Sequence, residues 1–255
     1  MTGPTYLQFH LAFLLPAMSL LVATTFAGWR ATAVRPLRGR DYWSGVAVIT
    51  VAALVYTTPW DNYLIARGVW SYAPGSTLAT LGHAPVEEYL FIVVQPWLTA
   101  LWLSHLSLPA WPAGVGTRRP RLVGLALAAV IGVGGWAALG TPATFYLGAI
   151  LVWAAPVLAL QWAVGAPQLW ARRRLVALGV LVPAAYLCVA DRVAIEYGIW
   201  VLSAQYTTGR TLAGLPVEEA LFFLVTNCFV VQGLVLYRWV RDRYANETAT
   251  GIDTR

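Results

Sequence analysis

The chain is a succession of apolar stretches separated by short arginine clusters. Each stretch has about the 20 residues needed to cross the hydrocarbon core of a bilayer. Seven can be drawn, at roughly 6–29, 42–60, 86–106, 122–140, 144–166, 175–195 and 216–237. Charged residues are only 11% of the 255, against about 25% in soluble domains, too few to cover a soluble surface. The sequence therefore predicts an all-α polytopic membrane protein of about seven transmembrane helices. No basic segment precedes the first stretch, so it reads as a spanning helix and not a cleaved signal.

All 17 basic residues are arginine. A net charge of +6 would suit a nucleic-acid partner, but the arginines fall between apolar runs instead of covering one face, and topology explains them better. Arg30, Arg35, Arg38 and Arg40 follow the first stretch, Arg118, Arg119 and Arg121 the third, Arg172 to Arg174 the fifth, and Arg238, Arg241 and Arg243 the seventh. Only Arg67, Arg192 and Arg210 lie near the other ends. The positive-inside rule then predicts a multi-pass cell-membrane protein with its N-terminus outside and its C-terminus cytoplasmic. A polar tail, 244–255, is expected to be disordered. Cys188 and Cys228 lie in apolar runs and give neither a disulfide framework nor metal-ligand spacing.

Self-similarity organises the rest. Asp61-Asn62, Gly68-Val69-Trp70 and Pro85-Val86-Glu87-Glu88 recur as Asp191-Arg192, Gly198-Ile199-Trp200 and Pro216-Val217-Glu218-Glu219. The offset is 130 for the first two blocks and 131 for the third, and seven of the eleven carboxylates fall within the repeat. Both copies must run the same way through the membrane, which requires an extra crossing between them. The expected plan is 3 + 1 + 3: a first three-helix repeat at 1–106, a linker with one connecting helix at 107–143, and a second repeat at 144–243. The two acidic blocks should meet at the repeat interface.

A Pro at the first helical position followed by acids is also how an ordinary helix starts. Duplication inside a wider block favours function, because ionisable groups at membrane depth are costly. Adjacent Glu residues lie about 100° apart on a helix and cannot face one cavity together. Glu88 shares a stripe with Gln95, and Glu219 with Thr226, which makes the second Glu of each pair the more inward. A carboxyl held away from water favours its protonated form and could act as a general acid. Asp61 and Asp191 end the second and sixth helices near the same depth, with ion pairing to Arg67 or Arg192 as the competing reading. Trp60, Trp70, Trp200, Phe91 and Phe222 crowd the same region. They form either an interfacial aromatic belt or a cavity whose π faces stabilise a carbocation. His10, His83 and His105 read as structural. Gly132-Val133-Gly134-Gly135-Trp136-Ala137 formally fits a dinucleotide fingerprint but lies inside an apolar helix, where close helix packing is the better account.

Two copies of an Asp block, a Gly-x-Trp and a Pro-x-Glu-Glu in a small membrane protein resemble the membrane-integral lycopene cyclase family of bacteria, archaea and fungi, in its fused two-repeat form. The resemblance covers about residues 1–243. Its Pro-x-Glu-(Glu/Asp) motif maps onto Pro85, Glu87 and Glu88, and onto Pro216, Glu218 and Glu219. The family pattern keeps the first Glu and tolerates Asp at the second, against the preference from the polar stripe, so the choice within each pair stays open. The second copy departs at Arg192, where the first has Asn62. The resemblance implies redox-neutral, acid-initiated cyclisation of the linear ends of lycopene to β-ionone rings, with no cofactor consumed. Glu87, Glu88, Glu218, Glu219, Asp61 and Asp191 would be catalytic. Trp60, Trp70, Trp200, Phe91, Phe222 and Asn62 would line the substrate, and Pro85 and Pro216 would set the motif's geometry. The partners implied are a lipophilic carotenoid within the bilayer and other carotenoid-biosynthesis enzymes.

Three rivals are weighed on the residues. A retinal protein needs a lysine for its Schiff base, and the chain has none. A proton-coupled transporter also suits parallel repeats with paired acids, but predicts acids deep in the helices. A non-catalytic carotenoid-binding protein would tolerate Glu→Gln in both motifs. Within the enzyme reading, a C50 substrate and an ε ring stay open.

Overall fold

A computed structural model describes residues 3–27, 39–108, 111 and 118–252, with side chains as far as Ala245. Arg30, Arg35, Arg38 and residues 253–255 lie outside them. The first span starts as α1 (Tyr6–Phe9), passes through a π-helical turn at His10–Leu14 and continues as α2 (Leu15–Phe26). A capping box starts it: Gln8 N donates to Thr5 Oγ1, and Thr5 N donates to Gln8 Oε1. Helices α3 (Arg40–Ala66), α4 (Val86–Ser104), α5 (Arg118–Ala138), α6 (Phe145–Ala171), α7 (Arg173–Glu196) and α8 (Val217–Ile252) follow. Helix is the form this chain can take in lipid, since it satisfies backbone N–H and C=O groups within the segment. Among the described residues, six helices are long and apolar enough to cross a membrane: the first span, α3, and α5 to α8. The 19-residue α4 opens with Glu87 and Glu88 and packs among α2, α3, α7 and α8.

Several helices outrun the apolar stretches that foretold them. Asp61 lies inside α3, which continues to Ala66, and Asp191 lies inside α7, which continues to Glu196. Helix α6 runs on to Ala171 across Gly165, whose φ of −155° and ψ of 37° interrupt the helical geometry. Where a disordered tail was expected from residue 244, α8 stays helical to Ile252. Local charge pairing accounts for part of this: Arg238 bonds Asp242 one turn on at 3.0 Å, and Arg241 reaches Asp41 at the start of α3 at 2.7 Å. Trp111 Nε1 donates to Asp242 Oδ2, and the Arg172 guanidinium sits 3.7 Å from the Trp111 ring centroid. These contacts gather arginines that follow the fifth and seventh stretches at one end of the bundle.

The opposite end carries short strands that the all-helical reading did not include, because two or three residues are too few for a periodicity to show. They are β1 (Trp70–Tyr72), β2 (Thr80–Leu81), β3 (Ala84–Pro85), β4 (Trp200–Leu202), β5 (Thr211–Leu212) and β6 (Leu215–Pro216). Strands β2–β3 and β5–β6 make equivalent hairpins, with Thr80 opposite Pro85 and Thr211 opposite Pro216. Strands β1 and β4 pair with each other antiparallel, Trp70 opposite Leu202 and Tyr72 opposite Trp200. Pro85 is thus the N-cap of α4, one residue before the first helical position expected for it.

Helix neighbours come in matching pairs. Helix α2 packs on α4 as α6 packs on α8, α3 on α4 as α7 on α8, and α4 on α7 as α8 on α3. At mid-depth, where α4 meets α8, Gln95 Nε2 and Thr99 Oγ1 both donate to Asn227 Oδ1, at 3.2 and 2.5 Å. Such interhelical bonds hold spans together where burial from water gives no drive. Helix α5 packs chiefly on α6. A Cβ on Gly148 would lie 2.7 Å from Gly135 O and 2.8 Å from Leu139 N, and one on Gly135 2.8 Å from Val152 N, so Gly135 and Gly148 serve helix packing, whereas Gly134 faces open space. Replacing Gly148 with Leu is expected to cost at least the roughly 1–3 kcal/mol of an overpacked site, because backbone cannot rotate aside. The check is a lowered thermal unfolding midpoint in detergent; an unchanged midpoint would mean that α5 moves freely off α6.

Candidate active site

Asp61 and Asp191 each stand five residues before the end of their helix, α3 and α7. Glu88 and Glu219 stand in the first turns of α4 and α8. The bundle brings all four together around one cavity of about 590 Å³ at its loop end. Trp60, Trp70, Trp200, Phe91 and Phe222 line the same cavity, whereas Tyr63 and Tyr197, in the same stretches of sequence, are exposed.

The 100° step between neighbouring helical residues separates the two glutamates of each motif. Glu88 and Glu219 reach the cavity, whereas Glu87 and Glu218 are turned into the loops, 1% and 0% exposed. Glu87 Oε1 accepts from Leu78 N at 2.8 Å and Glu218 Oε1 from Thr208 N at 2.7 Å. Nearby, Tyr6 N donates to Ser76 O and Tyr146 N to Tyr206 O. The loop partners, Leu78 and Thr208, Ser76 and Tyr206, stand 130 residues apart as in the sequence repeat, and in each copy the bonds together tie a hairpin loop to the start of a span.

Donors from the protein face the cavity carboxyls. Tyr146 Oη donates to Glu219 Oε1 at 2.9 Å, Tyr72 Oη donates to Glu88 Oε1, and Trp200 Nε1 donates to Asp191 Oδ1 at 2.9 Å. Burial, with the Glu88 carboxyl beside it, holds Tyr72 well above the usual phenol pKa, so it keeps its proton and remains a donor. The copies differ here, since Trp70 Nε1 donates to Tyr72 Oη and not to Asp61. Asp61 Oδ2 and Asp191 Oδ2 are buried and make no hydrogen bond within the structure. Neither aspartate forms the ion pair considered above: Arg67 lies 4.2 Å over the Phe145 ring, and Arg192 Nη1 donates to Ala213 O.

The aromatic walls cross between copies. Trp70 packs on Tyr146 at 5.6 Å, while Trp200 packs on Tyr6 at 4.9 Å and Phe9 at 5.1 Å. Trp60 stacks on Trp153 at 4.8 Å and on Phe222 at 5.9 Å. Asn62, expected to touch substrate, lies outside this wall. Its Oδ1 accepts from His83 N and Ala84 N, and its Nδ2 donates to Tyr89 Oη. It clamps the β2–β3 turn, where Gly82 sits at φ 69°, and Arg192 holds the corresponding turn of the second copy. Pro85 and Pro216 lie in the hairpins, consistent with a structural role.

Sequence reasoning passed over Tyr6 and Tyr146, which both line the cavity. A signal existed: Tyr6-Leu7 is echoed by Tyr146-Leu147 at an offset of 140, with Thr5 echoed by Thr144 at 139 and Pro4 by Pro142 at 138, all of which a search at 130 misses. Loss of a loop anchor should be measurable without any assay of activity. Glu87→Ala and Glu218→Ala are expected to cost about 1–3 kcal/mol each by leaving a buried amide unpaired. The expected outcome is a lower unfolding midpoint and faster hydrogen exchange at Leu78 and Thr208, and unchanged exchange would remove the anchoring role.

Fold and site together define a membrane-embedded protein whose duplicated acidic motifs converge on an aromatic cavity. The lycopene cyclase family model matches residues 5–106 and 143–251. The lycopene beta-cyclase of Halobacterium salinarum is 48% identical over 94% of this chain and 98% of its own length. The bifunctional lycopene cyclase/phytoene synthase of Aspergillus oryzae is 32% identical over 91% of this chain and 39% of its own, and that of Blakeslea trispora 32% over 89% and 38%. No solved structure matches the chain. This chain belongs to the lycopene cyclase family.

Proposed function

We propose that the protein is a lycopene beta-cyclase that closes the linear ends of lycopene into β-ionone rings. The observation that carries this reading is the meeting of four carboxyls, from both copies of the repeat, in one aromatic cavity within a membrane bundle. The reaction needs an acid, a base and a dry space tolerant of a cation. One carboxylic acid protonates C2 of the terminal C1=C2 bond, and the C5=C6 π electrons attack the C1 cation. A carboxylate then removes the C6 proton, leaving the C5=C6 double bond of the ring. The atoms of lycopene are conserved, and nothing is oxidised. The pair Glu88 and Glu219, with Asp61 and Asp191, is placed for proton transfer. Indole and phenyl faces of Trp60, Trp70, Trp200, Phe91 and Phe222 supply negative π surface to the passing cation. In this reading Glu87 and Glu218 are positioning residues, because they hold the loops that carry Tyr72 and the tryptophans.

The same proposal takes residues 1–106 and 144–243 as the two three-helix repeats, counting α4 as a seventh span, and 107–143 as the linker with one connecting helix. The two stretches matched by the family model and the paired helix contacts support that division. It places the hairpin end outside the cell membrane and the arginine-rich end in the cytoplasm, supported by the arginine distribution. Enzymes that make or use the carotenoid would be its neighbours in the membrane.

Expression in a host that accumulates lycopene, followed by chromatography with mass detection, tests the activity. Wild-type chain is expected to yield monocyclic and bicyclic products of lycopene's mass with β-ring spectra. Glu88→Gln and Glu219→Gln are each expected to lower the yield by about 10²-fold or more, the scale of a lost general acid or base, with the protein still in the membrane. Unchanged lycopene from wild-type protein shown to be in the membrane would reject the proposal.

A further inference from the structure

A second cavity, of about 1160 Å³, lies between α3, α4, α6 and α8 directly beneath the acid site. Phe91 and Phe222 line both cavities, and so form the partition between them. Its far end is marked by Ile49 on α3 and Gly233 on α8. At 1.5 Å per helical residue these lie about 18 Å below Asp61 and about 21 Å below Glu219. The lining is almost entirely apolar, with Ala53, Val157 and Phe229 among its residues. One wall is flat and aromatic: Trp153 stacks on Tyr56 at 5.8 Å and on Trp60 at 4.8 Å, which continues the π surface from the acid site into the cleft.

We infer that this cleft binds the unreacted length of a linear conjugated polyene, which stands along the helix axes with its acyclic end past Phe91 and Phe222 at the carboxyls. The inference rests on the cyclase reading and adds to it where the rest of the substrate lies and which residues measure its length. Adjacency to the acid site, across only the side chains of Phe91 and Phe222, selects a chain that ends in the reacting group over a bilayer alkyl chain, whose headgroup keeps it anchored at an interface. Stacked indole faces suit a flat conjugated chain, since aromatic surfaces pack face to face with offset. The small residues Ala52 and Ala53 on the α3 wall leave the width that a methyl-branched polyene occupies.

The test uses the full chain in phosphatidylglycerol nanodiscs with two substrates: lycopene, and a synthetic analogue with the same acyclic end and half the polyene. Ala53→Phe and Val157→Phe fill the cleft from opposite walls and leave the acid site intact. Each is expected to lower lycopene turnover roughly tenfold or more, as a steric block in an apolar pocket does, and to leave the analogue within about twofold of wild type. Quenching of tryptophan fluorescence by bound lycopene, read independently of turnover, is expected to require roughly tenfold more lycopene in both variants. Equal loss on both substrates, or unchanged turnover and binding in both variants, would overturn the inference; the second result would assign the cleft to bilayer alkyl chains. A wild type that binds lycopene and cyclises neither substrate would remove the cyclase reading, and the quenching comparison would still decide whether the cleft holds the polyene.

Discussion

Six carboxyl groups lie buried or half-buried at one end of this bundle with no cation among the described residues paired to any of them, and much of the architecture there is what makes that arrangement tolerable. A buried acidic group must be neutral or supplied with donors. The protein supplies donors: backbone amides for Glu87 and Glu218, phenols for Glu88 and Glu219, and an indole for Asp191. The nearby arginines are engaged elsewhere, on an aromatic face and on a backbone carbonyl. An ion pair would have held each aspartate charged. Hydrogen bonds from neutral donors are what the cavity supplies instead.

Division of labour within each Pro-x-Glu-Glu motif follows from helix geometry. One glutamate fastens the preceding loop and its neighbour enters the cavity, and the 100° between them makes the two tasks compatible. The fastened loops carry Trp70 and Trp200, and the β1–β4 pairing carries each of these across to the helices of the other copy. Each half of the chain therefore supplies part of the wall of one shared cavity. The departures between copies, Asn62 against Arg192 and the different partners of Trp70 and Trp200, make the two sides chemically unequal.

Much was legible in the sequence because bilayer and helix impose strong periodicities. Apolar stretches of spanning length, the arginine clusters between them, and the repeated Asp, Gly-x-Trp and Pro-x-Glu-Glu blocks are one-dimensional signals, and so the membrane class, the acids and the aromatics of the site could be named from them. The polar stripe linking Glu88 to Gln95 and Glu219 to Thr226 even pointed to the cavity-facing glutamates, since Gln95 and Thr226 line the cleft below. Asn62 was misplaced because nothing in its sequence context distinguishes a turn clamp from a cavity residue. Tyr6 and Tyr146 were missed because the repeat slips in register between its first helix and the rest.

The sequence by itself determined that the chain is built of membrane-spanning apolar stretches, that it is duplicated, and that the same acids and aromatics recur in both copies. Those properties follow from composition and spacing, which every residue expresses locally. Tertiary structure alone decided that four carboxyls share one cavity, that the tryptophans cross between copies, that Glu87 and Glu218 hold loops, and that an apolar cleft continues beneath the acids. These depend on which helices face one another and on three-residue strands that pair across 130 positions of chain, and no local pattern encodes such contacts.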